Sequence, residues 1–207
     1  MVRFIVGITG GSGVGKTTLI NQLYEEFQGK VSTFSLDNYY LPKEEQIKDE
    51  NGVINFDLPT ALDAENLERD IQLLTKGERI IQPVYRFNNP SHEKSVIYIE
   101  PRELLIVEGL YVMHYPFLRN VLDYSVYLTV DKTLQLERRL QRDVRERNYK
   151  EADILYQWHN HVLPSYDAHV RPYKKDADLI ITNNEKFDDN IHILMDKIHE
   201  KLDSPLR

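Results

Sequence analysis

The chain has 207 residues, enough to bury one α/β core with room for a small inserted lid or hairpin. A net charge of −7 argues against a general nucleic-acid binder, and the absence of cysteine excludes disulfides, thiolate catalysis and cysteine-ligated metals. No apolar run approaches the ~20 residues of a membrane span, and the stretch before residue 9 is too short for a signal peptide, so a cytoplasmic location is expected.

In chain order, residues 4–9 read as a buried strand, followed by a glycine-rich turn and a helix to about Phe27. Residues 31–36 form a second strand that ends in Asp37-Asn38-Tyr39-Tyr40. A polar stretch follows, with Asn51-Gly52 as a tight turn. A helix is predicted over 62–74, with Leu67, Ile71 and Leu74 on one face. Residues 80–87 and 95–100 are β-rich and separated by Asn88-Asn89-Pro90-Ser91-His92, which predicts a hairpin beside the sheet. Residues 104–108 are the most apolar strand and 126–130 another, after which Asp131 is a candidate N-cap for a long helix to about Arg147. A second helix is expected over 153–169, bent or broken by Pro164. A short strand at 179–181 and an amphipathic helix at 188–202 close the chain.

This alternation predicts one α/β domain over residues 1–207, a three-layer α/β/α sandwich of the P-loop NTPase type around a parallel sheet. Its additions would be a β-hairpin insertion at about 80–100 and an arginine-rich helical lid at about 131–149.

Gly10-Gly11-Ser12-Gly13-Val14-Gly15-Lys16-Thr17, continued by Thr18, fits G-x-x-x-x-G-K-[ST] in full, between an apolar strand and a helical pattern. Glycines there let consecutive N–H groups turn inward on a polyphosphate, and the helix that follows adds the positive end of its dipole. Lys16 would reach the β- and γ-phosphates and the Thr17 hydroxyl would coordinate Mg²⁺. The loop alone does not separate a kinase from a switch or a motor. The N-K-x-D motif of guanine-specific switches is absent.

Asp37 lies where the second strand runs out at the ligand-binding edge, placed either for turn chemistry or to deprotonate an attacking hydroxyl. Glu108 closes an otherwise apolar strand; a partner there is Mg²⁺, its bound water, or a structural ion pair. Arg138, Arg139, Arg142, Arg145 and Arg147 crowd one helix. Such a row is either a solvated face, with Asp143 and Glu146 as local partners, or a source of cations for the equatorial oxygens of a transferring phosphoryl group.

Together these elements resemble the uridine kinase family, within the wider group that includes phosphoribulokinases, from residue 5 to about 183. Leu36-Asp37-Asn38-Tyr39-Tyr40 is similar to its D-S-[FY]-Y element, which implies that Asp37 is the catalytic base and adds Tyr40 to the substrate set. Asn55-Phe56-Asp57-Leu58-Pro59-Thr60-Ala61-Leu62-Asp63 resembles N-[FY]-D-H-P-x-A-[FM]-D, implying that Asp57 binds ribose hydroxyls and Phe56 lies near the nucleoside. Pro83-Val84-Tyr85 resembles P-[VL]-Y, whose tyrosine contacts the base, and Ile106-Val107-Glu108-Gly109 resembles I-[LF]-E-G with its magnesium-linked glutamate. Residues 138–147 are similar to R-R-x-x-R-D-x-x-E-R, which implies a sugar contact for Arg139 and phosphate contacts for Arg142 and Arg147. Gln157 stands where the family places a glutamine near the pyrimidine.

Three of the elements depart from the family pattern. Pro90 takes the place of a hairpin histidine, with His92 two residues later and either at the base or in solvent. Leu58 replaces the histidine of D-H-P, and Asn148-Tyr149 replaces the G-R of E-R-G-R.

The expected activity is transfer of the γ-phosphoryl group of MgATP to the 5′-hydroxyl of a ribonucleoside, uridine or cytidine first. A small hydroxyl acceptor of another kind, such as a sugar phosphate or a vitamin-like riboside, is the rival within the same chemistry. A nucleotide-binding regulator without turnover is the rival outside it. The resemblance further implies a homo-oligomer, a dimer or tetramer, with no nucleic-acid or membrane partner.

Overall fold

Strand β1 (Phe4–Gly10) is the spine of the molecule, and all seven of its residues are buried. In the computed structural model, which describes residues 1–87 and 95–204, it leads into helix α1 (Lys16–Glu26) and strand β2 (Val31–Ser35). Helix α2 (Ala64–Thr75) follows after a long connection, then a two-stranded antiparallel hairpin of β3 (Ile80–Pro83) and β4 (Val96–Ile99). The remaining elements are β5 (Leu104–Gly109), α3 (Pro116–Arg119), β6 (Tyr124–Thr129), α4 (Lys132–Arg147), α5 (Glu151–Gln157), α6 (Leu163–His169), β7 (Leu179–Thr182) and α7 (Asn190–Asp203).

Five strands form one parallel sheet in the order β2-β5-β1-β6-β7. Period-two alternation splits each strand between two cores. Phe4, Val6, Ile8, Leu104, Ile106, Val126 and Leu128 point to the face covered by α1 and α7, through Leu19, Leu23, Leu194 and Ile198. Ile5, Phe34, Leu105, Val107 and Tyr127 point to the opposite face, under Leu67, Ile71 and Leu74 of α2 and Leu118 of α3. This is the expected three-layer sandwich.

Three local expectations are corrected. Asp131 stands at the N-cap of α4, but its side chain makes no cap hydrogen bond; its backbone N–H instead donates to Asn184 Oδ1 at 3.0 Å. Asp63 does cap its helix, accepting from Asn66 N at 3.1 Å. The helix over 153–169 begins two residues earlier and is split into α5, a π turn at Trp158–Val162, and α6. Pro164 sits in the first turn of α6; a proline there clashes with the carbonyl four residues back, and the widened turn before it relieves that clash. Finally, the hairpin strands are shorter than 80–87 and 95–100: Val84 N still donates across to Ser95 O at 2.9 Å, but Tyr85 N donates to Asn38 Oδ1 at 3.1 Å rather than to the partner strand.

Candidate functional site

At the carboxyl ends of β1 and β5 the loop of residues 10–17 wraps into α1. Gly13 and Gly15 have φ of +82° and +99°, a conformation that side chains rarely adopt. A Cβ at Gly15 would also lie 2.1 Å from Asn183 Nδ2, which donates to Val14 O at 2.9 Å. Gln135 of α4 supports the other side, donating from Nε2 to Ser12 O at 2.7 Å. Lys16 Nζ bonds the carbonyls of Gly10 (3.1 Å) and Gly11 (3.3 Å), so the ammonium lies across the mouth of its own loop. Burial pushes its pKa down, against the pull of Glu108 and Asp37.

β2 and β5 deliver the two acids. Asp37 lies in the 3₁₀ turn Leu36–Tyr39 that continues β2. Glu108 is the fifth residue of β5 and pairs in register with Ser35, whose hydroxyl donates to its Oε1. Burial, reinforced by the charge of Asp37, raises Glu108 to about 7, against the opposing charge of Lys16 and the Ser35 hydrogen bond. Two mutually repelling carboxylates beside an exposed threonine hydroxyl, Thr17, are hard-oxygen chemistry suited to Mg²⁺, which takes one or two carboxylates and completes its shell with phosphate and water. The residues therefore fit a magnesium–nucleotide complex, which Thr17 and Glu108 would hold.

Helix α4 closes the roof. Its hub is Asp143, 1% exposed, which takes Arg142 Nε at 2.8 Å, with Arg139 and Arg147 nitrogens at 3.4 Å each. Arg142 also donates to Ser12 Oγ at 3.0 Å, tying the helix to the phosphate loop. The five arginines divide. Arg138 bonds the carbonyls of Asn183 and Asn184, a structural role, and Arg145 is exposed. Arg147 lies 4.1 Å above the ring of Phe87, a cation–π contact between roof and hairpin. Burial holds its pKa down, helped by Arg142.

The far end of the same cleft is aromatic with one ion pair at its floor. Tyr40 packs against Phe56 at 6.0 Å and Phe87 at 5.0 Å between ring centroids. Asp57 faces Arg139 NH1 at 3.8 Å, and burial raises its pKa against that guanidinium and the nearby His161. Its carbonyl accepts from the Tyr111 hydroxyl at 2.6 Å, and its N–H donates to Asn55 Oδ1 at 2.9 Å, which fixes the turn that presents it.

The cleft encloses about 310 Å³, within the range of small-ligand pockets. Ser12, Gly13, Gly15, Lys16, Thr17, Thr18, Asp37, Glu108 and Arg142 are among the residues that line it, as are Tyr40, Phe56, Asp57, Arg139, Arg147 and Gln157 together with Ile54, Phe87 and Tyr149. Gly10, Gly11 and Val14 shape the loop from beneath. Tyr85 is not a lining residue; it packs 5.2 Å from Tyr40 and 5.0 Å from Phe87, one ring removed. Pro90 and His92 lie outside the described residues. Sequence reasoning missed Phe87, Tyr149, Gln135 and Asn183. Phe87 had a signal, two residues beyond Tyr85, whereas Gln135 and Asn183 act through distant backbone and had none.

The Phosphoribulokinase / Uridine kinase family model matches residues 5–188. Curated uridine kinases align over nearly the whole chain. That of Anoxybacillus flavithermus is 35% identical over 96% of this chain and 95% of its own length, and that of Clostridium novyi 32% identical over 98% of each. Among solved structures, a possible uridine kinase from Bacillus stearothermophilus superposes with a TM-score of 0.60 at 20% identity, covering 87% of this chain and 89% of that one. Phosphoribulokinase from Rhodobacter spheroides gives 0.63 at 15% identity, over 88% of this chain and 70% of its own. These two likenesses are of fold.

Proposed function

The chain belongs to the phosphoribulokinase and uridine kinase family, and from that premise we propose that it transfers the γ-phosphoryl group of ATP to the 5′-hydroxyl of a ribonucleoside, uridine or cytidine. The observation that carries the reading is the composition of one cleft. Its loop end holds Lys16, Thr17, Glu108 and Arg142, its aromatic end holds Phe56 and the Asp57–Arg139 pair, and Asp37 belongs to the same lining.

In the proposed reaction the acceptor oxygen attacks the γ-phosphorus while the bond from phosphorus to the β–γ bridging oxygen breaks, and ADP departs. The hydroxyl proton passes to the Asp37 carboxylate. Asp57 and Arg139 hold the ribose hydroxyls, while Tyr40, Phe56 and Gln157 border the base. Lys16, Arg142 and Arg147 meet the charge on the transferring group, so catalysis rests on positioning and fixed charge rather than on a covalent intermediate. Thr17 and Glu108 would hold a magnesium ion, which would supply charge neutralisation for the transferring phosphoryl group. The same reading makes α4 the lid, and the family likeness supports a cytoplasmic homo-oligomer.

ADP release measured with a panel of nucleosides tests this. Uridine or cytidine should raise ADP production well above the ATP-only rate. Asp37→Ala should lower kcat by about two to four orders of magnitude, the ordinary contribution of a positioned general base. A panel in which no nucleoside raises the rate defeats the acceptor assignment, and full turnover in Asp37→Ala defeats the base assignment.

A further inference from the structure

The connection between the Asp37 turn and Phe56 folds back on itself. Lys48 and Ile54 form an antiparallel bridge, and Asn55 N donates to Ile47 O at 2.8 Å. Gly52 N donates to Asp49 O at 3.0 Å, making the expected turn at Asn51-Gly52 the tip of a small loop hairpin.

One carboxylate organises this loop. Asp49 Oδ1 accepts from the backbone N–H groups of Asn51 (2.9 Å) and Val53 (2.8 Å). Its other oxygen, Oδ2, turns to a different part of the chain, accepting from the Tyr156 hydroxyl at 2.7 Å and meeting His161 Nε2 at 2.7 Å. An ionised carboxylate only accepts, so the His161 proton sits on Nε2. Asn51 Nδ2 completes the junction with a 2.7 Å bond to the Tyr156 oxygen. Partial burial works against the charge on Asp49; the hydrogen bonds from Tyr156, His161 and the backbone outweigh it and hold the carboxyl down to about 2.

The helix is shaped to meet this oxygen. Tyr156 and His161 are five residues apart, a spacing that places side chains on different faces of an α-helix. The π turn at Trp158–Val162, with its i to i+5 hydrogen bonding, brings residues five apart onto one face, so both side chains reach one oxygen. His161 is only 2% exposed, and its Nδ1 has no hydrogen-bond partner among the described residues. A buried imidazole whose partner is Asp49 marks a junction rather than a solvated turn.

We propose that Asp49 is a positioning residue for acceptor binding, locking the loop hairpin to the helix that carries Gln157 so that the two walls of the acceptor pocket keep a fixed separation. The inference rests on reading the aromatic end of the cleft as the acceptor pocket. The path is short: Ile54, in the bridge, itself lines the cleft, and Phe56 and Asp57 follow directly. On the other wall Gln157 is the residue after Tyr156. The phosphate loop is held separately, by Gln135, Arg142 and Asn183, so the tether acts on one ligand and not on the other.

The test uses the full chain with Asp49→Ala, Asp49→Asn and Tyr156→Phe, the last removing a single hydroxyl so that the fold is retained. Steady-state kinetics with uridine and ATP should show the acceptor KM of Asp49→Ala rising on the order of tenfold or more, as expected for a misplaced wall, with smaller rises in the other two variants. The KM for ATP should stay within about twofold. Amide hydrogen exchange on the substrate-free protein reads the tether without turnover, and exchange should quicken in both 50–57 and 155–162 in Asp49→Ala. Equal changes in both KM values, an unchanged acceptor KM, or faster exchange in only one segment overturns the proposal. Wild-type protein that turns over no nucleoside overturns the acceptor reading and with it the positioning role, while the exchange result still shows whether the tether exists.

Discussion

Glu108 shows how a single residue can be set against the fold that carries it. Its carboxyl ionises near pH 4.5 in an unfolded chain and at about 7 in the folded one. An acid whose pKa is raised by folding costs stability once the unfolded form ionises, so the metal-free protein loses stability as pH climbs from 4.5 to 7 and stays lower above. Glu108→Gln removes that slope. Urea unfolding without magnesium should find the variant more stable than wild type by roughly 1–3 kcal/mol at pH 8 and little changed at pH 5, while magnesium-dependent turnover falls sharply. A variant no more stable at pH 8 contradicts the burial and Asp37 repulsion behind the prediction. Most chemistry-bearing residues were readable beforehand because strand ends and the glycine loop fix where Lys16, Asp37 and Glu108 emerge. Phe87 and Tyr149 were not, because their place in the cleft depends on where a hairpin and a helix end meet in space.

Helix α4 shows what an element end can compensate. Asn148 is its C-cap, with φ of 54°, the only positive-φ residue other than glycine among the described residues. Asparagine is the side chain that best tolerates this left-handed position, so it preserves the turn where the family pattern has glycine. Tyr149 then enters the cleft, its N–H bonded to Asp143 O at 3.1 Å. Asn148→Gly should leave the melting temperature nearly unchanged, while Asn148→Ala should cost about 1 kcal/mol, because alanine keeps the Cβ but lacks the short polar side chain that makes asparagine tolerant of that conformation. Equal stability of the two variants in denaturant melts would discount the strain argument. The split of the predicted 153–169 helix has a similar lesson. Pro164 announced a disturbance, but not that a widened turn would absorb it without breaking the rod.

At the scale of the whole molecule, the sandwich was legible because apolar residues alternate along strands and cluster on single helix faces, which fixes two cores on either side of one sheet. Ile106, fully buried in the α1 and α7 core, tests that layer. Ile106→Ala should lower unfolding free energy by about 2–5 kcal/mol in guanidinium titrations, and a loss below about 1 kcal/mol would mean the layer repacks freely. Strand order was not legible, because pairing of β1 with β5 and β6 joins residues about a hundred positions apart. That arrangement has a consequence for biosynthesis. Strand β1 lies at the centre of the sheet, and the nearer of its two neighbours in the chain is made only about a hundred residues after it. At about 5–20 residues per second, the apolar side chains of β1 wait uncovered for several seconds or more, which gives chaperones a defined segment to shield during synthesis.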